Sequence, residues 1–150
     1  MNLSFADTAE IRRRLRHARE AVDAVINADA FDVAATDAMA HRSTYADAAS
    51  ALLRIIDCPG RGLVRALLKA ETFAPYRLGL VFGAIPHEAN IMQPVTIDDL
   101  TALNTPEARL AAIAVGGDYD WKALDRRSRA VLVLRRLVRT MMGVVSYDTK

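Results

Sequence analysis

Two histidines with neighbouring carboxylates are the residues best suited to chemistry at one centre. His17 and His41 lie at equal distances along the chain from Asp29, so an antiparallel helical hairpin turning there would place them at the same height. Glu20 is three residues from His17, and Asp37 is four from His41, which are spacings that bring helical side chains together. Two imidazoles and two carboxylates are a donor set that could hold a metal ion.

The geometry of a helix opposes such a metal site. At about 100° per residue, His17 lies roughly 120° from the apolar seam of its helix, and Glu20 lies on the far side. These side chains could converge only toward a third helix. We therefore expect solvent-facing or hydrogen-bonded histidines, and neither a metal nor another cofactor.

Arg12 and His17 have the Arg-to-His spacing of the HEPN ribonucleases, an all-α family of about this size, and the segment resembles their motif. The resemblance implies a metal-free ribonuclease in which Arg12 stabilises phosphate and His17 is the general acid or base. In that family the motif usually lies in a late helix and begins with a polar residue. Here it lies in the first helix, inside a run of arginines. The alternative is a solvated helix face.

The other reactive side chains have no partner that spacing identifies. Ser43 and Cys58 lack any pattern typical of a nucleophile, and His87 lies in a segment between two prolines. The glycines around Arg61 do not follow a strand, as a phosphate-binding loop requires. We therefore predict that the protein is not an enzyme.

Clustered arginines are the strongest functional signal. The formal net charge is only +2, with 20 basic and 18 acidic residues, but all except three of the basic residues are arginine. Arginine contacts phosphate in a bidentate manner that lysine cannot reproduce. Residues 121–145 predict a helix with one apolar and one basic face, on which Asp125 is the only acid. Its predicted nucleic-acid-binding residues are Lys122, Arg126, Arg129, Arg135, Arg136 and Arg139.

A second basic strip lies near the N-terminus and comprises Arg12, Arg13, Arg16 and Arg19. Three local pairs could neutralise charge in this helix, namely Glu10–Arg14, Arg16–Glu20 and Arg19–Asp23. Solvation is therefore the expected role of this strip, with phosphate binding as the alternative. Few aromatic residues interleave with the basic ones, so contacts to the nucleic-acid backbone are expected rather than base stacking.

Hydrophobic periodicity predicts one all-α domain over residues 1–150, a helical bundle of six or seven helices. Apolar residues at steps of four and three predict a long helix to about residue 28 and a second one to residue 57, which together form a helical hairpin. Shorter helices are expected within 63–115, where 86–94 is a loop. The basic amphipathic helix is expected over 120–145.

The sequence also bears on the compartment. Cys58 is the only cysteine, which is typical of a reducing environment. The N-terminus reaches Asp7 and Glu10 without an apolar run, unlike a signal peptide. The most apolar stretch, 73–85, is too short to span a bilayer. We expect a soluble cytoplasmic protein with no membrane contact.

In size and character the chain resembles the small helical subunits of multi-protein CRISPR effector complexes. The resemblance rests on architecture over the whole chain and on no motif. It implies a non-catalytic subunit that holds RNA or single-stranded DNA by charge, with further copies of itself and other protein subunits as partners.

The alternative is a protein-interaction module, such as an adaptor, a phage or plasmid accessory protein, or an antitoxin-like protein. Its interface would be the hairpin seam, which includes Ile11, Leu15, Val22, Tyr45 and Leu52.

Overall fold

The computed structural model describes residues 5–58, 62–68, 73–85, 95–117 and 119–143, and these residues contain helices and no strand. The predicted all-α bundle is confirmed, although six or seven helices were expected and the described residues contain eight. Eight α-helices occur in the described part of the chain, together with a 3₁₀ turn at Trp121–Ala123 that precedes the last one. The helices are α1 (Phe5–Ile26), α2 (Val33–Ala38), α3 (Arg42–Ile56), α4 (Leu63–Leu68), α5 (Ala74–Val81), α6 (Ile97–Ala102), α7 (Pro106–Val115) and α8 (Arg126–Met141).

The predicted hairpin differs from the structure in its second arm, which is two helices instead of one. Between α2 and α3 the backbone N–H groups of Met39, Ala40 and His41 bond carbonyls three residues back, and His41 then adopts an extended conformation. The break allows α2 to pack against α8 while α3 packs against both α1 and α8.

The C-terminal helix begins at Arg126, later than the predicted start at residue 120. Asp120 caps the 3₁₀ turn instead, and Leu124 is extended. Asp125 is the N-cap of α8, with its carboxylate accepting a hydrogen bond from the Ser128 N–H at 2.8 Å. The turn brings Trp121 back onto Phe31, with ring centroids 5.4 Å apart. Residues 144 and 145 lie outside the described residues.

The shorter helices begin where capping residues predict. Thr96 and Asp99 form a reciprocal capping box at α6, and Thr105 caps α7 ahead of Pro106. Gly116 ends α7 with φ of 105°, a conformation that favours glycine. The predicted loop at 86–94, which contains His87, lies outside the described residues.

Helix α8 lies at the centre of the bundle, where it packs against α1, α2, α3, α4 and α7. The apolar face of α8 includes Val131, Leu134 and Leu137, which are fully buried and meet Leu52 and Ile56 of α3 in one core. Because neighbours surround α8 on several sides, its basic residues also lie close to protein. Within the described residues, no helix combines the length and apolarity needed to cross a membrane.

Candidate nucleic-acid interface

Three arginines of α8 bind backbone carbonyls at the ends of neighbouring helices. Arg129 donates to the carbonyl of Ile26, the last residue of α1, at 2.8 Å, and its guanidinium lies 4.7 Å from the centroid of the Trp121 ring. Arg127 donates to the carbonyl of Ile56, the last residue of α3, at 2.8 Å. The third, Arg139, reaches a carbonyl in the last turn of α4 at 3.5 Å. Helix C-termini carry unpaired carbonyls and partial negative charge, which these guanidinium groups offset.

Arg136 has a carboxylate partner. It makes a bidentate pair with Asp37 of α2, at 2.8 and 2.9 Å, and the Thr140 hydroxyl donates to the same carboxylate at 2.9 Å. The hydrogen bond from Arg136 outweighs the effect of burial and, together with that from Thr140, lowers the pKa of Asp37 below its usual value. This pair joins α2 to α8, so Arg136 stabilises the contact between these two helices.

Arg135 is less well satisfied than the other arginines of α8. Its guanidinium lies against Gly116 at the end of α7, where an added Cβ would stand 2.9 Å from Nη2. Its Nε is buried and has no hydrogen-bond partner among the described residues. Burial, and secondarily the charge of Arg139, lowers the pKa of Arg135. The Nε of Arg135 is therefore desolvated without a compensating hydrogen bond among the described residues, and a like charge lies nearby.

Lys122 and Arg126, the first two members of the predicted C-terminal strip, are exposed. Arg126 binds Asp23 of α1 at 2.6 Å, and each of these two side chains remains 51% exposed. The predicted C-terminal strip is thus divided. Its first two residues face solvent, whereas Arg129, Arg135, Arg136 and Arg139 are half-buried.

The basic strip of α1 is exposed along its length. Arg12, Arg16 and Arg19 recur at steps of four and three, so they share one helix face, and none of them has an ion-pair partner within the described residues. We call these three residues the arginine stripe. Arg13 lies beside the stripe and pairs with Glu10.

The acids expected to neutralise α1 have other partners in the structure. Glu10 pairs with Arg13 instead of Arg14, and Arg14 instead approaches Asp47 of α3 at 3.9 Å. Glu20 lies 4.0 Å from His17, and Asp23 is bound by Arg126. Our three predicted pairs are therefore wrong. Asp23 is bound by a residue of another helix, whereas Glu10 and Glu20 lie next to other residues one turn away, Arg13 and His17.

The arginine stripe ends at a cleft that sequence reasoning missed. Arg19, Arg54 and Arg126, from three different helices, line a cavity of ≈ 230 Å³ together with Asp23. Its remaining lining is apolar and consists of Val22, Ala51 and Ile55. We call it the arginine cleft. Arg54 is isolated in the sequence, and the packing of α3 against α1 and α8 gives it basic neighbours.

A larger cavity of ≈ 650 Å³ lies between α1, α2 and α3. Small apolar side chains form most of its surface, and Arg14, His17, Asp32 and Asp47 contribute its charged or titratable groups. Its alanines are Ala18, Ala21, Ala24, Ala35, Ala38 and Ala48. We call it the alanine groove. The small side chains leave space open here.

The two described histidines do not form a shared centre. His17 lines the alanine groove, which Arg12 does not line, and His41 precedes α3 with its Nδ1 3.1 Å from the Ser43 hydroxyl. Within the described residues, no group of three or more His, Cys, Asp or Glu side chains could hold a metal ion. Cys58 is half-buried, which raises the pKa of its thiol.

No protein-family model matches the chain, and comparison with curated proteins and with solved structures finds no match either.

Proposed function

We propose that the protein is a non-catalytic subunit that binds the backbone of single-stranded RNA or DNA through the arginine stripe. The observation that carries this proposal is the set of three exposed guanidinium groups on one face of α1, without ion-pair partners among the described residues. With a rise of about 1.5 Å per residue, Arg12 and Arg16 lie about 6 Å apart along the axis, and Arg16 and Arg19 about 4.5 Å. Such a row can follow successive phosphates.

The physical chemistry favours contact with phosphates over base reading. Guanidinium groups that neutralise phosphates release counterions, so affinity depends on salt and little on sequence. Residues 7–26 of α1 contain no Phe, Tyr or Trp on which bases could stack. Lys122 and Arg126 extend the positive surface, whereas most of the α8 arginines stabilise the fold and contribute less to this proposal.

The finer proposal keeps the resemblance to the small subunits of CRISPR effector complexes. In that setting several copies would lie side by side on one strand, each presenting its arginine stripe, and other subunits would supply catalysis. The exposed position of the stripe supports this arrangement, because α1 needs no rearrangement before it meets a strand.

Fluorescence anisotropy with labelled single-stranded RNA, single-stranded DNA and duplex DNA tests the proposal. We expect binding of single strands that weakens steeply between about 50 mM and about 200 mM salt. The triple variant Arg12→Glu, Arg16→Glu, Arg19→Glu should lose roughly 100-fold in affinity, equivalent to about 2.7 kcal/mol.

The matched control reverses three exposed arginines elsewhere, Arg42→Glu, Arg65→Glu and Arg109→Glu. Because both variants change the net charge equally, an effect of net charge alone would weaken binding to the same extent in both. Equal losses, or no binding by the wild type at low salt, would contradict a binding role for the arginine stripe.

The alanine groove favours a second candidate function, a protein-interaction module. The interface differs from the predicted hairpin seam, because Val22 and Leu52 are buried in the core and cannot meet a partner. A side chain from a partner could enter the groove instead. Ala38→Arg would fill it from an exposed position. Under this function, the Ala38→Arg variant should no longer cross-link to a partner in cells. The triple variant of the arginine stripe should still do so.

A further inference from the structure

The arginine cleft shares Arg19 with the arginine stripe, but unlike the stripe it also contains a carboxylate. Three guanidinium groups and one carboxylate line it, so three positive charges and one negative charge leave a net charge of +2. Arg126 already offsets Asp23 through the 2.6 Å contact between them. Arg19 and Arg54 have no such partner among the described residues, and both are exposed. Their two charges are available to a bound anion.

The shape of the cleft concentrates these charges. Val22 and Ala51 are buried and form an apolar wall with Ile55, so the guanidinium groups stand around one concave surface. Donors from α1, α3 and α8 approach the cavity from three helices. At ≈ 230 Å³ it holds about as much as seven or eight waters at roughly 30 Å³ each, which suits a phosphate group with its hydration water.

We propose that the arginine cleft binds a terminal phosphate monoester of a nucleic-acid strand whose backbone lies along the arginine stripe. This inference rests on the proposed function. A phosphate monoester carries about −1.5 to −2 charge at pH 7 and offers three acceptor oxygens. An internal phosphodiester carries a single negative charge and would leave one guanidinium unpaired. The cleft therefore distinguishes a phosphorylated strand end from the interior of a strand.

Anisotropy competition with one oligonucleotide in three forms tests the inference. The forms carry a 5′-phosphate, a 3′-phosphate or hydroxyl groups at both ends. We expect one phosphorylated form to bind about tenfold more tightly than the hydroxyl form at pH 7.5, equivalent to about 1.4 kcal/mol. The identity of that form gives the polarity of the strand on α1. Arg54→Gln should abolish the preference, while the control Arg65→Gln should retain it.

The pH dependence supplies a second readout. The second pKa of a phosphate monoester is about 6, so its charge falls toward −1 at pH 5.5 while arginine stays protonated. The preference should shrink to about threefold there. Equal affinity for all three forms, or a preference that Arg54→Gln leaves intact, would overturn the inference and leave backbone binding standing. Loss of binding by every form would overturn both proposals.

Discussion

The arginines of α1 and those of α8 follow similar helical spacings but do different work. In α8 they reach carbonyls of Ile26 and Ile56 and the carboxylate of Asp37, and most of them are half-buried. In α1 they face solvent, and the arginine stripe has no ion-pair partner among the described residues. The difference lies in the neighbours, because α8 packs against five helices and α1 against α3 and α8.

The comparison shows why a basic helix face is an ambiguous signal. A central helix can use long guanidinium side chains to cover the negative ends of the helices around it, since arginine buries its stem and keeps several donors. Arg127, Arg129 and Arg139 do so at the ends of α3, α1 and α4, and Arg135 lies beside the end of α7. Such arginines organise the bundle. An arginine becomes available to phosphate only where no helix end lies within reach.

The largest expected effect is the loss of stability when an arginine of α8, and not one of α1, is replaced. Arg129→Ala removes hydrogen bonds to Ile26 and Trp121 and the contact with the indole ring, so we expect the free energy of unfolding to fall by about 3 kcal/mol. Arg16→Ala should change it by less than about 0.5 kcal/mol, because Arg16 is exposed. Urea denaturation measures both. Similar losses for the two variants would remove the distinction between the helices.

The pair between Asp37 and Arg136 gives an intermediate effect that depends on pH. Asp37→Asn leaves Arg136 without its carboxylate and should cost about 2 kcal/mol at pH 7. Because folding lowers the pKa of Asp37, its contribution is complete above the ordinary value of 3.8 and is lost as the pH falls through the lower, folded value. Denaturation from pH 7 to pH 2 should show the gap between wild type and Asp37→Asn closing below 3.8. A gap that stays constant would contradict this account.

Replacing Arg135 should have the smallest effect on stability, and it should raise stability where the other substitutions lower it. Its buried Nε has no hydrogen-bond partner among the described residues, and Arg139 adds a like charge. Arg135→Met keeps an apolar stem and removes the desolvated charge, so we expect stability to rise by about 0.5–1 kcal/mol. Thermal unfolding measures the change. A loss of stability would mean that the cation offsets the carbonyls at the end of α7.

The features predicted correctly from sequence are those set by local rules. Steps of three and four fix the apolar face of α8, and Thr105 with Pro106 fixes the start of α7. The break before His41 was missed, because it depends on α2 packing against α8. The start of α8 was misplaced by six residues, since both Asp120 and Asp125 are competent caps and the extended Leu124 separates them.

The candidate site was less predictable than the fold. The sequence identifies Arg12, Arg16 and Arg19 as cations but pairs Arg16 and Arg19 with acids one turn away. Whether an acid is free depends on contacts such as Asp23 with Arg126, which are 103 residues apart. Arg54 carries no local signal at all. Charge composition therefore indicates where phosphate could bind, whereas tertiary contacts decide which guanidinium groups remain available.

The central place of α8 has a consequence for synthesis on the ribosome. Arg129 reaches a carbonyl of α1 across 103 residues, and the buried faces of α1 and α3 depend on the same late helix. At about 5–20 residues per second, Val22, Leu52 and Ile56 remain without their final neighbours for roughly 4–20 s. Nascent chains that stop before residue 126 should therefore bind a holdase chaperone, and release should coincide with the emergence of α8 from the exit tunnel.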